Sequence, residues 1–140
     1  MFLDLEKAFD RLPRKLIVVA LRKQKVPEPY VRMVEDMYEG SKTKIRCLAG
    51  TSEDFNVNEG THQGSVFSPL AFIVTFDYLL ELCASLPNVT AILFADDAVI
   101  MSSDQISLQN ALNEWNIALS SGGLKLHEKK SEHLSHCLLT

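Results

Sequence analysis

Ala91-Ile92-Leu93-Phe94-Ala95-Asp96-Asp97-Ala98-Val99-Ile100-Met101 is the stretch that decides the fold, because two apolar runs of strand type flank a bare pair of acids. A two-residue hairpin turn usually contains Asn-Gly, Asp-Gly or Gly-Gly, since its central residues need φ > 0. With Asp96-Asp97 as the tip, the turn has no glycine and sets two like charges side by side. Local rules are broken in this way mainly at functional sites. A hard divalent cation such as Mg²⁺ would neutralise the pair; the competing reading is an acidic surface turn.

Outward from the hairpin, both sides alternate strands with amphipathic helices. On the N-terminal side, Phe2-Leu3-Asp4-Leu5 is strand-like and opens without a preceding turn or cap, as a chain cut inside a core strand would. Arg14 to Lys25 places Leu16, Ile17, Ala20 and Leu21 on one helical face. Pro27 ends it, and a second helix runs from about Glu28 to Glu39 with Gly40 as its stop. Lys42 to Ala49 alternates polar and apolar residues, as a half-buried strand should, and pairs through a Gly50-Thr51-Ser52-Glu53 turn with Phe55 to Asn58. Gly60 to Ser65 is a polar loop of small residues. Ser68 as N-cap and Pro69 at the first helical position start a helix to about Ser85, apolar on nearly all sides and therefore buried. After the acid hairpin, Ser102-Ser103-Asp104 caps a helix whose face is Leu108, Ala111, Leu112, Trp115 and Leu119. Gly122-Gly123 ends that helix, Leu124 to Leu126 reads as a short strand, and Leu134 to Leu139 reads as a last one. The order β, α, α, β-hairpin, α, β-hairpin, α, β predicts an α+β fold, an antiparallel sheet covered by helices on one face.

Composition narrows the class. The 140 residues suffice for one domain with a core, and 46% hydrophobic with 23% charged residues excludes a disordered chain. A net charge of −4 excludes a globally basic nucleic-acid binder, so any such binding either uses a local site or depends on basic regions outside these residues. The stretch Pro69 to Leu86 is too interrupted by Thr75, Asp77 and Glu81 to span a membrane. Cys47, Cys83 and Cys137 lack a C-x-x-C pattern and read as buried thiols of a reducing compartment. His133, His136 and Cys137 cluster near the end, but no second cysteine pair completes a zinc site.

Asp4 ends an apolar strand as Asp96 and Asp97 flank one. If the first strand lies beside the hairpin, three carboxylates meet at one sheet edge. Two divalent ions roughly 4 Å apart would neutralise them and clamp the attacking and leaving oxygens of a phosphoryl transfer.

Four segments now stand in order. They are Phe2-Leu3-Asp4-Leu5-Glu6-Lys7-Ala8-Phe9-Asp10, Gly60-Thr61-His62-Gln63-Gly64-Ser65-Val66-Phe67-Ser68-Pro69-Leu70, Phe94-Ala95-Asp96-Asp97, and Gly122-Gly123-Leu124-Lys125-Leu126 with Lys129-Lys130-Ser131. Together they resemble the successive palm motifs of reverse transcriptases, in particular those of non-LTR (long interspersed element) retrotransposons, over nearly the whole chain. The resemblance implies a reverse-transcriptase-like palm spanning residues 1–140, with part of the connection to the fingers. It implies metal ligands at Asp4, Asp96 and Asp97 and at the backbone carbonyl of Leu5, holding two Mg²⁺ with Mn²⁺ as a substitute. It implies a steric gate at Phe9 beneath the incoming sugar, a nucleotide- and template-contacting loop at Gln63-Gly64, and Lys130 as proton donor to the leaving pyrophosphate. Lys44 and Arg46 on the first hairpin would meet nucleic-acid phosphates, although basic residues on exposed strands also serve solubility.

The expected partners are an RNA template, a DNA primer and deoxynucleoside triphosphates, in the nucleus or cytoplasm and without a membrane. Family members usually carry asparagine where His127 stands and bulkier aromatics near Val18-Val19. Fingers are expected before Asp4 and a thumb after Thr140, so the 140 residues alone are expected not to extend a primer. Two other readings stay open. One is a catalytically inactive retrotransposon remnant that at most binds RNA or protein. The other is a template-independent Mg²⁺ phosphohydrolase, which leaves the Gln63-Gly64 loop and the motif order without explanation.

Overall fold

Pairing starts from the acid hairpin. In the computed structural model, which describes residues 1–81 and 87–135, the N-terminal run forms β1 (Phe2–Leu3) and the hairpin strands are β6 (Val89–Phe94) and β7 (Asp97–Ser102). The sheet order is β1-β7-β6, antiparallel throughout. Its register sets Leu3 opposite Ala98 and Phe2 opposite Val99 on one side, and runs from Val89↔Ser102 to Phe94↔Asp97 on the other. Side chains alternate between the two faces of a strand. Leu3, Ala98 and Ile100 are buried and define the core face.

The helices are α1 (Ala8–Arg11), α2 (Arg14–Lys23), α3 (Glu28–Tyr38), α4 (Phe67–Glu81) and α5 (Gln105–Ser121). The amphipathic spacing of α5 is borne out, since Ala111, Trp115, Ala118 and Leu119 are buried. Its cap is Asp104, whose carboxylate accepts from the Ser107 N–H at 2.8 Å. Hydrogen bonding from Ser107 holds that carboxyl below its usual range. Behind the sheet, α5 contacts β7, α4 lies against α5, and α2 against α4. Among the described residues no helix is long and apolar enough to cross a membrane.

The centre of this layer is Phe72, fully buried, with its ring 5.0 Å from that of Phe9 and 5.4 Å from that of Phe76. Truncating a buried aromatic removes its transfer energy and leaves a cavity. Phe72→Ala is therefore expected to cost about 3–5 kcal/mol, read as a lower urea midpoint at unchanged slope.

Several expectations need correction. The helix expected to start with Ser68 and Pro69 starts at Phe67, and the capping hydroxyl is that of Ser65, which accepts the Phe67 N–H at 3.2 Å. Ser68 turns back to donate to the His62 carbonyl at 2.7 Å. Helix α4 is buried on one side only, with Leu70 and Ile73 exposed. Its expected continuation to Ser85 lies outside the described residues beyond Glu81.

The strand expected half-buried over Lys42–Ala49 is exposed and broken. Residues β2 (Lys42–Thr43) pair with β5 (Phe55–Asn56), and β3 (Arg46–Cys47) with β4 (Gly50–Thr51), so the tight turn is Leu48-Ala49 and Gly50 is in a strand. Alternation defines two faces, but no helix covers either of them here. Cys47 sits on this projecting tip and is exposed, not buried; Cys83, His136 and Cys137 lie outside the described residues. The short strand at Leu124–Leu126 reduces to a bridge between Leu126 and Leu5, and a second bridge joins Glu132 to Phe2. Residues 133–135 carry no strand, and the remainder of the expected last strand lies outside the described residues.

Candidate active site

Three segments converge at the end of β1. Register extrapolated past Leu3↔Ala98 puts Asp4 level with Asp97, on the face opposite the buried Leu3 and Ala98. The hairpin tip is not Asp96-Asp97. With Phe94 paired to Asp97, the two turn residues are Ala95 and Asp96, and Ala95 carries φ 53°. An L-residue in the left-handed region costs roughly 1–2 kcal/mol, so the strain of a glycine-free turn falls on Ala95. The acids thus divide: Asp97 stands on the strand opposite Asp4, and Asp96 projects from the turn just beyond.

On its other side, β1 is clasped by the chain after α5. Asp4 accepts the His127 N–H at 2.8 Å on its carbonyl, and Glu6 N–H donates to Lys125 O at 2.8 Å. The Leu5 carbonyl is not drawn into either bond. Residues 127–130 form a turn in which Lys130 N–H and Ser131 N–H each donate to His127 O at 3.0 Å. That turn delivers Lys130 Nζ to 3.4 Å from Asp4 Oδ2. Asp4 Oδ2 is itself buried and accepts no hydrogen bond among the described residues.

The polar loop is locked to the same N-terminal segment. Thr61 N–H donates to Phe9 O at 2.9 Å, Gly60 N–H to Leu12 O at 2.9 Å, and Gln63 Nε2 to Asp10 Oδ1 at 2.8 Å. The approach at Gly60 (φ +78°) is so close that a Cβ there would stand 2.6 Å from Asp10 O. Phe9 is partly buried, with one side of its ring on Phe72. Lys44 and Arg46 are placed elsewhere, on the exposed hairpin, where Lys44 is 3.6 Å from Asp54.

Arg14 and Asp10 were not singled out in the sequence, where Arg14 reads only as a basic helix end. The Arg14 guanidinium donates to Gly60 O at 2.9 Å, to Ser41 Oγ at 3.1 Å and to Val57 O, and lies 4.7 Å from the centroid of Tyr38. It ties α2 to the base of the exposed hairpin and to the loop bearing Gln63. Burial pushes the Tyr38 hydroxyl above its usual range, opposed by the charge of Arg14. Arg14→Ala is expected to cost about 2–3 kcal/mol, because charged hydrogen bonds are lost and carbonyls left without partners. Arg14→Lys should recover little of it, since a point charge does not reproduce the planar fork. Urea denaturation of the two variants checks both statements.

The donor set suits a hard divalent cation: carboxylate oxygens, one of them buried with no hydrogen bond, at matching levels on neighbouring strands. Among the described residues no three His, Cys, Asp or Glu side chains already converge as a cluster, so the donors are placed by the backbone but not drawn together.

The chain as a whole is similar to known proteins. The family model described as reverse transcriptase (RNA-dependent DNA polymerase) matches residues 1–138. The chain is 36% identical over 135 residues to the retrovirus-related Pol polyprotein from the type-2 retrotransposable element R2DM of Drosophila melanogaster, a match covering 91% of this chain and 13% of the relative. It is 28% identical over 140 residues to the corresponding polyprotein from a type-1 retrotransposable element R2 of Nasonia vitripennis, covering 95% of this chain and 14% of that one. The chain thus spans about one seventh of the curated relatives it matches. Its fold is similar to apo telomerase of Candida tropicalis (TM-score 0.73, 12% identity, 99% of this chain and 31% of that one). It is equally similar to Candida albicans telomerase (TM-score 0.73, 11% identity, 96% of this chain and 27% of that one). The chain belongs to the reverse transcriptase (RNA-dependent DNA polymerase) family of the non-LTR retrotransposon type, with the α+β palm-like fold expected of it.

Proposed function

We propose that these residues form the nucleotidyl-transfer core of an RNA-directed DNA polymerase. Asp4, Asp96 and Asp97, with the Leu5 carbonyl, would hold two divalent ions, Mg²⁺ or its substitute Mn²⁺. Bound there, the ions supply charge neutralisation and Lewis acidity to the phosphoryl oxygens. The observation that carries this reading is the level placement of Asp4 and Asp97 on one sheet face beside the glycine-free turn that projects Asp96.

The chain's own residues do the remaining work by orientation, which provides most of the catalysis in a transfer with little covalent chemistry for the protein. Phe9 presents a ring, backed by Phe72, that fills the space of a 2′-hydroxyl and offers it no partner, favouring deoxynucleotides. Gln63 has its amide nitrogen committed to Asp10, which leaves its carbonyl oxygen to accept from a base or sugar edge. Gly64 lets backbone approach the nucleotide. Lys130 lies at the acid row, where its ammonium can donate to a leaving phosphate. Lys44 and Arg46 offer charge to the phosphates of an RNA template or DNA primer.

The test places this segment within the frame of its Drosophila melanogaster relative and changes one base of an RNA template ahead of a DNA primer. Incorporation should follow the template base and favour deoxynucleotides over ribonucleotides. Turnover of a phosphate ester with no template dependence would instead support the phosphohydrolase reading.

A further inference from the structure

Lys130 stands in an unusual place for a group whose work is on a nucleotide. Its Nζ is 3.4 Å from Asp4 Oδ2, while its side chain remains 65% exposed. Two features show that the pairing is built. The turn over residues 127–130 is anchored to β1 by the His127 N–H on Asp4 O, by the Asp4 N–H on Ser131 Oγ at 3.4 Å, and by the paired bonds between Phe2 and Glu132. Asp4 Oδ2, the atom facing the lysine, is buried and has no hydrogen bond among the described residues, so Lys130 is the charge compensating it. A buried carboxylate oxygen with no donor and no counter-charge would be costly.

From this geometry we infer that Lys130 is a counter-ion of Asp4 that competes with a divalent ion for this carboxylate and is set free when that ion binds. The inference deepens the reading of Asp4 as a metal ligand and rests on it. An ammonium and a divalent cation cannot share Asp4 Oδ2 without repulsion, so binding of one displaces the other. The lysine is well suited to leave, since an exposed ion pair is worth little and its four-carbon stem is flexible. Lys130 would therefore offset the charge of Asp4, one acid of the row, until a divalent ion replaces it. The same event that completes the metal site would free the ammonium to meet the nucleotide's phosphates. Lys130 is in this respect a positioning residue for Asp4, distinct from any later proton donation.

The experiment is Mn²⁺ binding to the 140-residue chain by electron paramagnetic resonance, which counts free Mn²⁺ and needs no turnover. Lys130→Gln is expected to tighten the first Mn²⁺ by about three- to tenfold, the range for losing one weak ion pair and one neighbouring positive charge. Lys130→Arg should keep the parent affinity. Lys129→Gln, which removes an equal charge one residue away, should change it by less than about twofold at 0.15 M salt, where exposed charges are screened. In the Asp4→Asn background the Lys130→Gln effect should vanish, because the competition is for Asp4. Equal affinity of Lys130→Gln and parent, with Asp4→Asn still weakening binding, overturns the counter-ion role and leaves the metal reading standing. Binding untouched by Asp4→Asn overturns the metal reading itself.

Discussion

Asp4→Asn is expected to lower the rate of single-nucleotide incorporation at least roughly a thousandfold, equivalent to about 4 kcal/mol of barrier, in the longer frame described above. The substitution keeps size and shape, exchanges one acceptor oxygen for an amide donor, and removes one negative charge from the row that Asp4 forms with Asp97. It should scarcely affect folding, because the β1 end is held by backbone bonds, His127 N–H to Asp4 O and Glu6 N–H to Lys125 O, which the change leaves intact. Lost incorporation with an unchanged urea midpoint is the expected pair of results. Near-normal incorporation would remove Asp4 from the site. Asp96→Ala should behave similarly in turnover, and as a turn residue outside the β6–β7 ladder it too should leave the sheet register alone.

Gly60→Ala carries the largest expected effect on structure outside the core. Two costs add at this residue. The φ of +78° is unfavourable for any L-residue by roughly 1–2 kcal/mol. The new Cβ would also stand 2.6 Å from Asp10 O and 3.0 Å from Asp10 C, atoms of backbone that cannot swing aside. Overpacking of that kind costs typically about 1–3 kcal/mol. A total of about 2–5 kcal/mol follows, and because the strained contact is the loop's seat against the segment bearing Phe9 and Asp10, the Gln63–Asp10 bond should be lost with it. Gly40→Ala separates the two costs: its φ is +64°, but nothing lies within 4 Å of the added methyl. It should lose only the conformational part. Equal destabilisation of the two variants would show that the close approach at Gly60 contributes nothing.

Much of the architecture was legible because it rests on periodicity. The β-branched and apolar runs around Asp96-Asp97 could only be a hairpin, and Leu108 to Leu119 could only be an amphipathic helix. What periodicity cannot decide is which residues form a turn when none of them is glycine. Ala95-Asp96 and Asp96-Asp97 were equivalent by turn chemistry, and the ladder from Val89↔Ser102 to Phe94↔Asp97 settles the matter by moving Asp97 into the strand. Burial was legible only where an element packs on another. Ile45 and Phe55 sit in runs that alternate as a half-buried strand would, yet both are exposed, as is Leu48, because among the described residues no helix packs over that hairpin. The contacts of Arg14 with Ser41, Val57 and Gly60, and of Asp10 with Gln63, join residues 27 to 53 positions apart, and such contacts leave no local pattern. Gly60 offered a hint, as one of two glycines, with Gly64, in an otherwise polar loop.

On the function proposed above, Asp4, Asp96 and Asp97 share one metal site. Fe²⁺ in place of Mg²⁺, with ascorbate and peroxide, releases hydroxyl radicals that cut the backbone nearest the bound ion. Cuts are expected next to Asp4, within Ala95 to Asp97, and in the 127–130 turn that holds Lys130 against Asp4, all suppressed by excess Mg²⁺ and all lost together in Asp4→Asn. Cuts confined to other segments, or cuts at the hairpin that persist unchanged in Asp4→Asn, would contradict a shared site.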